Sequence, residues 1–388
     1  MKKFFLFPIL LAAAFFSCND PIFYTVAIQP PLNEPRLKGS PTKFAVHGNA
    51  MYVASGNKLW QYDTGVWKSE KSFPSLIADI AITDNGYFYV RLSDTSDQLH
   101  WSTDGVNFTA KPMSVNIQSI FSAGNYLYIS ARDFSITSGN YSIYHLLGSG
   151  DPVPVTPDIS SDEITRVSIN SFAFSGSTFY FCSYGSGINS SDMKGKGIFS
   201  GTLGSTSVTR INDSDDFTGI LYISGGEFAA ISRSGQLYKV TGTTVTALSD
   251  VSLGRPSNSM GTLALWSDYV NVQGTNTLVR ILLAGTQDIT NTANTSHTHG
   301  FMELELSPSG TLDDTKRFNW PGEIEPISTM TSRESFITTL GKHGVNHLYQ
   351  YVYPDNSQRV LFASTQQEGL WSYRDRGGSS GWHWNAEE

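Results

Sequence analysis

The stretch Gly48-Asn49-Ala50-Met51-Tyr52-Val53-Ala54-Ser55 reads as a glycine turn followed by a short apolar strand, and it does not stand alone. The same order of turn, apolar-aromatic pair and β-branched or small residues returns in Gly86-Tyr87-Phe88-Tyr89-Val90 and in Gly124-Asn125-Tyr126-Leu127-Tyr128-Ile129-Ser130. It returns again in Gly176-Ser177-Thr178-Phe179-Tyr180-Phe181-Cys182 and in Gly225-Gly226-Glu227-Phe228-Ala229-Ala230-Ile231. Anchored on Met51, Phe88, Leu127, Phe179 and Phe228, successive units lie 37, 39, 52 and 49 residues apart. Two later segments match each other: Arg280-Ile281-Leu282-Leu283-Ala284-Gly285-Thr286-Gln287 and Arg359-Val360-Leu361-Phe362-Ala363-Ser364-Thr365-Gln366. Each is followed by a second strand-like run, from Phe301 and from Leu370.

Strand-sized runs separated by turn signals every 8–12 residues or so imply antiparallel sheets. No stretch of the body sustains a 3.6-residue apolar period, which argues against βαβ units. A unit of about 40–50 residues holding four short strands has the size of a propeller blade. One blade cannot cover both its faces, and radial stacking of blades does so. A β-solenoid would use shorter coils, and a large sandwich would not repeat its sequence. The expected fold class is therefore all-β, a β-propeller over residues 43–388.

Blade starts near residues 44, 77, 117, 169, 219 and 260 give six units, and residues 325–388 supply the rest. Seven blades fit best, with eight or six as alternatives, and Phe23–Ile28 could donate a missing strand. Ring closure is expected to pair strands from the two chain ends. Trp371, Trp382 and Trp384 are expected to pack on the first blade, near Met51–Ser55 and Trp60.

Composition agrees with this reading. Hydrophobic residues make up 39% and aromatics 13%, enough for a core, while charged residues are only 15%, against about 25% in ordinary soluble domains. The formal net charge is -8, and no basic run exists that could displace counterions from a nucleic acid, so no nucleic-acid partner is expected.

The N-terminus reads as a leader. Met1-Lys2-Lys3 is a basic start, Phe4–Phe16 is apolar apart from Pro8, and Ser17-Cys18-Asn19-Asp20 ends the run. About 13 apolar residues are too few to span a bilayer, which takes roughly 20 as helix, so the segment is a signal peptide. The cysteine placed directly after it resembles the lipobox of bacterial lipoproteins. Ser17 fits the small residue before the cut, whereas Phe15 and Phe16 depart from the usual Leu and Ala or Ser. The resemblance implies removal of residues 1–17, acylation of Cys18 and attachment to a membrane of the bacterial cell envelope. An ordinary cleaved leader is the other reading. Residues 18–42 carry Pro21, Pro30, Pro31, Pro35 and Pro41, a stiff tether. Cys182, the only other cysteine, lies in an apolar run and is expected to pack as a small hydrophobe.

Gln98-Leu99-His100-Trp101-Ser102-Thr103-Asp104-Gly105-Val106-Asn107-Phe108-Thr109 resembles the Asp-box of sialidase-like (BNR) repeats. The matching residues are Ser102, Asp104, Gly105 and Phe108, the last standing where that family usually has Trp. The resemblance implies a structural turn at a blade periphery: Asp104 accepts hydrogen bonds from turn amides, and Gly105 supplies a left-handed conformation.

No catalytic, cofactor or metal residue stands out. Arg91, Arg132, Arg166, Arg210, Arg233, Arg255 and Arg280 match no sialidase pattern. His297-Thr298-His299 and His343-Gly344-Val345-Asn346-His347 sit in or beside polar loops, where solvated histidines are expected. Asp213-Ser214-Asp215-Asp216 reads as a solvated acidic turn, not a calcium loop. Neither Gly-x-x-x-x-Gly-Lys nor Gly-x-Ser-x-Gly occurs. The expected function is a membrane-anchored binding or scaffolding module for a protein or glycan partner; the alternative is a glycan-active hydrolase built on the same propeller.

Overall fold

The computed structural model describes residues 37–94, 98–133, 140–186, 194–252, 260–272, 275–286, 301–313, 344–365, 369–375 and 382–387. Their strands fall, in strict chain order, into seven blades. The innermost strands are Ala45–His47, Ile77–Ile82, Asn116–Ala123, Ser171–Ser175, Phe217–Ser224, Met260–Val272 and Val345–Val352. Each begins a meander of antiparallel strands running outward, four in every blade except the sixth, which has three among the described residues. The expected blade starts lie within two residues of those observed for the first six blades. The fold is a β-propeller.

The repeat that opened the sequence reading is the second strand of each blade: Ala50–Ser55, Phe88–Leu92, Tyr126–Asp133, Thr178–Ser186 and Glu227–Ser232. The glycines ahead of it, Gly48, Gly86, Gly124, Gly176 and Gly225, have φ of 60, 81, 55, 59 and 56°. A side chain is disfavoured in that left-handed region, so glycine recurs wherever the innermost strand turns back.

Both faces of each blade are buried, and period two decides which neighbour a residue meets. Ala50, Tyr52 and Ala54 join Ile77, Ile80, Ile82 and Phe88 of blade two. Met51 and Val53, pointing the other way, join Tyr351, Val360, Phe362 and Leu370 of blade seven. Five further apolar clusters fill the interfaces between consecutive blades, so seven clusters for seven blades close the ring.

The seam between blades seven and one differs from expectation. Among the described residues no strand is shared: blade one is built from Ala45–Ser72 and blade seven from Val345–Ala386. Phe23–Ile28, Ile327–Thr331 and Ser335–Leu340 lie outside the described residues. Closure is by side chains. Tyr62 packs on Phe362 and Tyr351 with centroids 4.9 and 5.1 Å apart, and its hydroxyl shares a 2.9 Å hydrogen bond with that of Tyr353. Trp67 Nε1 donates to Glu387 Oε2 at 2.6 Å. A short N-terminal clasp adds main-chain bonds, from Gly369 N to Gly39 O at 2.9 Å and from Leu370 N to Leu37 O at 3.0 Å. Trp371 and Trp384 turn away from blade one and pack with Trp266, Ile281 and Phe301 of blade six; Trp382 has no described side chain. Adjacent strand residues point to opposite neighbours, and an apolar run on both faces does not say which.

A second departure joins blades three and four. The outer strand Val153–Asp158 pairs antiparallel within blade three, then runs parallel to Ser207–Asn212 of blade four. The one-turn helix Ser161–Ile164 follows it, and Glu163 receives both Nη groups of Arg210 at 3.2 Å.

Phe362 has no exposed surface and anchors the seam. Phe362→Ala is expected to lower unfolding free energy by about 3–5 kcal/mol. Circular dichroism and tryptophan fluorescence should still report one coincident urea transition. Separate transitions would show that blades unfold independently and that the seam is not essential.

Candidate functional site at the channel mouth

Because strands alternate in direction, the first-to-second and third-to-fourth connections lie at one end of the ring. Second-to-third connections and those between blades lie at the other. The first end carries the glycine turns. At the second, long-connection end the described strands stop at Asp133, Ser186, Ser252 and Thr286, ahead of residues 134–139, 187–193, 253–259 and 287–300. Residues 287–300 read Gln-Asp-Ile-Thr-Asn-Thr-Ala-Asn-Thr-Ser-His-Thr-His-Gly, rich in Thr and Asn.

The innermost strands splay around the axis and make no ladder with one another, so their inward main-chain groups need other partners. Side chains supply them. Asp79 Oδ2 accepts from Ile120 N at 3.0 Å. Ser119 Oγ donates to Ile169 O at 2.9 Å, and Ser171 Oγ accepts from Ile220 N at 3.0 Å. Gln350 Oε1 accepts from Ser267 N at 2.9 Å while its Nε2 donates to Ser267 O at 2.7 Å.

Charges concentrate where the channel meets the long-connection end. Lys43 crosses from blade one, donating from Nζ to Asp79 Oδ2 at 3.0 Å and to Ile120 O, with the ammonium 3.9 Å over the Phe121 ring. Burial holds the Lys43 pKa below its ordinary value, against the opposing pull of Asp79. Arg91 stands opposite Asp79 in the register of blade two. Its Nη1 donates to Ile117 O at 3.3 Å, and its Nε is buried with no partner. Beside it, Asn116 Oδ1 accepts from Gln98 Nε2 and Gln118 Nε2, both at 3.2 Å. Gln98 Oε1 accepts from Ile117 N at 2.6 Å. His347, expected in a solvated loop, is the third residue of the innermost strand of blade seven. Burial, then the charge of Lys43, lowers its pKa to about 4.

The other sequence-singled residues are dispersed. Ser102, Asp104, Gly105 and Phe108 form the turn between the third and fourth strands of blade two, at the glycine-turn end. Asp104 Oδ1 accepts from Ser102 Oγ at 2.7 Å, Val106 N at 2.9 Å and Asn107 N at 2.8 Å. These bonds, that from Asn107 foremost, hold its carboxyl far below the usual range. Gly105 has φ +72°, and a Cβ there would meet the Phe88 ring at 3.2 Å. Phe108 packs edge-on against Phe73 at 5.0 Å. Arg132, next to the end of the second strand of blade three, lies over the Tyr141 ring. Arg166 and Arg233 lie in connections at the long-connection end, while Arg210 pairs with Glu163 on the rim and Arg280 sits in the second strand of blade six.

The acidic turn after Asn212 is only partly solvated, because Asp215 accepts from the Tyr238 hydroxyl at 2.8 Å and Asp216 lies 3.6 Å from Lys196. Cys182 is fully buried, its thiol pushed up by burial. Among the described residues no three His, Cys, Asp or Glu converge on a metal position. Cys18, Arg255, His297, His299 and His343 lie outside the described residues.

No family model matches the chain, and no curated protein is similar to it in sequence. Solved structures are similar to it in fold. YCF48 bound to a D1 peptide is similar with a TM-score of 0.51 at 13% identity, over 90% of this chain and 95% of that one. Streptogramin B lyase is similar at 0.52 and 9% identity, over 87% and 94%. PorZ, a surface component of the type-IX secretion system of Porphyromonas gingivalis, is similar at 0.50 and 10%, over 92% of this chain and 39% of PorZ. At such identities the likeness shows the fold alone.

Sequence reasoning missed Lys43, Asp79, Asn116 and Gln118, and left Arg91 without a role. The signal for Asp79 was present: one acid inside the apolar strand Ile77-Ala78-Asp79-Ile80-Ala81-Ile82.

The folded His347 has a pKa near 4 against an ordinary 6.5. Between those values the unfolded chain takes up a proton that the folded chain refuses, so this group's stabilising contribution is complete above pH 6.5 and falls as pH drops toward 4. His347→Gln should lose less of its urea midpoint than the parent between pH 7 and pH 5. Equal losses would show that His347 titrates normally in the fold.

Proposed function

We propose that this chain is a lipid-anchored binding module of the bacterial cell envelope that presents the long-connection end of its propeller to a protein partner. In this reading residues 1–17 are removed, Cys18 carries lipid and the residues between it and the clasp at Leu37 hold the body off the membrane. Several acyl chains anchor firmly where one alone does so marginally. The Ser102, Asp104, Gly105 and Phe108 turn is a structural Asp-box.

The observation that carries the binding reading is the asymmetry of the ring. Left-handed glycines turn the innermost strands back at one end, and the charged side chains of Lys43, Asp79 and Arg91 gather at the other. The peptide bound to YCF48 and the surface location of PorZ, proteins of similar fold, support a partner of protein nature.

The site of engagement is tested by photo-crosslinking with the full-length protein in detergent. A benzophenone at Ser93, exposed at the long-connection end, should capture peptides from a random 12-mer library, and one at Asn107, exposed at the other end, should not. Capture at Asn107 alone would reverse the assignment.

Anchoring is tested by Cys18→Ala, which should move the protein from the detergent phase to the aqueous phase. Partitioning identical to the parent would remove the lipid anchor from the proposal. Asp104→Ala should lower the melting temperature by a few degrees and leave peptide capture at Ser93 unchanged. An unchanged melting temperature with lost capture would make that turn part of the site.

A further inference from the structure

We propose that the channel mouth between blades two and three is a carboxylate-binding subsite, in which Arg91 receives an acidic side chain or the C-terminal carboxylate of a bound peptide. The inference rests on the peptide-binding reading above and names the chemistry that reading leaves open.

The argument starts from how charge is shared. Asp79 is fully engaged: Oδ2 takes Lys43 Nζ and Ile120 N, both at 3.0 Å, and Oδ1 takes Ile80 N at 2.9 Å. Lys43 takes the Asp79 carboxylate by hydrogen bond, and Arg91, opposite it in register, makes no bond to it. Asp79 is also the one acidic group whose charge reaches Arg91 among the described residues. The mouth thus sets two basic side chains against one carboxylate, in a chain whose formal net charge is -8.

The donors of Arg91 are largely unspent. A guanidinium offers five N–H groups in a planar fork, and this one makes a single long bond, to Ile117 O at 3.3 Å. Its Nε is buried without a partner, and Nη2 has none among the described residues. A half-buried guanidinium left this way is unfavourable, and a planar carboxylate meets the fork with two parallel bonds.

The neighbouring amides are polarised in the same sense. Asn116 Oδ1 already accepts twice, from Gln98 and Gln118, and Gln98 Oε1 is taken by Ile117 N. Two of the three amide acceptors are used, and the Asn116 Nδ2 donors face no acceptor among the described residues. Donors in excess beside a spare positive charge select an anionic acceptor. His347, held neutral at pH 7 by its low pKa, adds no charge.

The test uses full-length protein in detergent and a random hexapeptide library with free or amidated C-termini. Bound peptides should be enriched in Asp, Glu or a free C-terminus, and the best of them should bind Arg91→Gln about 10–100-fold more weakly, the span expected for one charge-assisted contact. Arg91→Lys should recover part of the loss, since it keeps the charge without the fork. Asn116→Asp, which puts a carboxylate beside Arg91 and leaves the arginine in place, should weaken acidic peptides as well and guards against a folding defect in Arg91→Gln. Peptides bound with no acidic preference, or bound equally by the parent and both Arg91 variants, would overturn the subsite and leave the peptide-binding reading standing. No peptide bound by any of the proteins would overturn both.

Discussion

A blade of this protein is a small sheet that is apolar on both faces, and no such sheet can be left half covered. Tyr52 and Met51 are adjacent in sequence, yet one is buried against blade two and the other against blade seven. Each blade therefore depends on two neighbours, and the only arrangement of finite size that satisfies all of them is a closed ring. Seven interfaces each hold one apolar cluster, so stability is distributed around the circle rather than concentrated in one centre. The seam between the chain ends is the place where connectivity gives no help. Aromatic packing around Phe362 and Tyr62, with the clasp at Gly39 and Leu37, does there what a covalent turn does elsewhere.

Closing a ring of twisted sheets splays the innermost strands, and this creates the polar interior. Their inward amides and carbonyls cannot form a ladder, yet they are too buried to be left unpaired. Ser119, Ser171, Asp79 and Gln350 supply the missing partners from side chains. Once Asp79 is placed there, its charge needs a counterion, and Lys43 provides one from the strand-free segment ahead of blade one. The charged mouth is thus a consequence of ring geometry before it is anything else. Lys43 and Asp79 satisfy each other; Arg91 is the member that the fold itself does not fully occupy.

The fold was legible because a repeat amplifies a weak local signal. A single run such as Met51–Ser55 could belong to many β proteins, but its return behind a left-handed glycine four more times sets the unit length and the blade boundaries. The partner of each face was not legible. Strands buried on both sides show no polar alternation to orient them, so Trp371 and Trp384 were assigned to the wrong neighbour. The channel was hidden for a different reason. Lys43 and Asp79 are 36 residues apart, and Lys43 and His347 lie at opposite ends of the folded chain. Blade stacking brings Lys43 to Asp79, and ring closure brings His347 to Lys43. A lone acid in an apolar strand was the one local trace, and it marks a position without naming its partner.

The two ends of the ring carry different duties, and the sequence separates them by loop chemistry. Left-handed glycines make turns too short to hold a ligand, and the Asp104 turn belongs with them because its carboxylate is spent on its own amides. The opposite end holds the charged mouth, where Arg91 has donors to spare. A protein selected for stability alone would fill the Arg91 position with an apolar residue matching Tyr89 and Leu99 beside it. Keeping a half-satisfied guanidinium there works against the local packing rule that the rest of blade two obeys. Departures of that kind concentrate where a chain meets its ligand, and this one lies at the charged mouth of the ring.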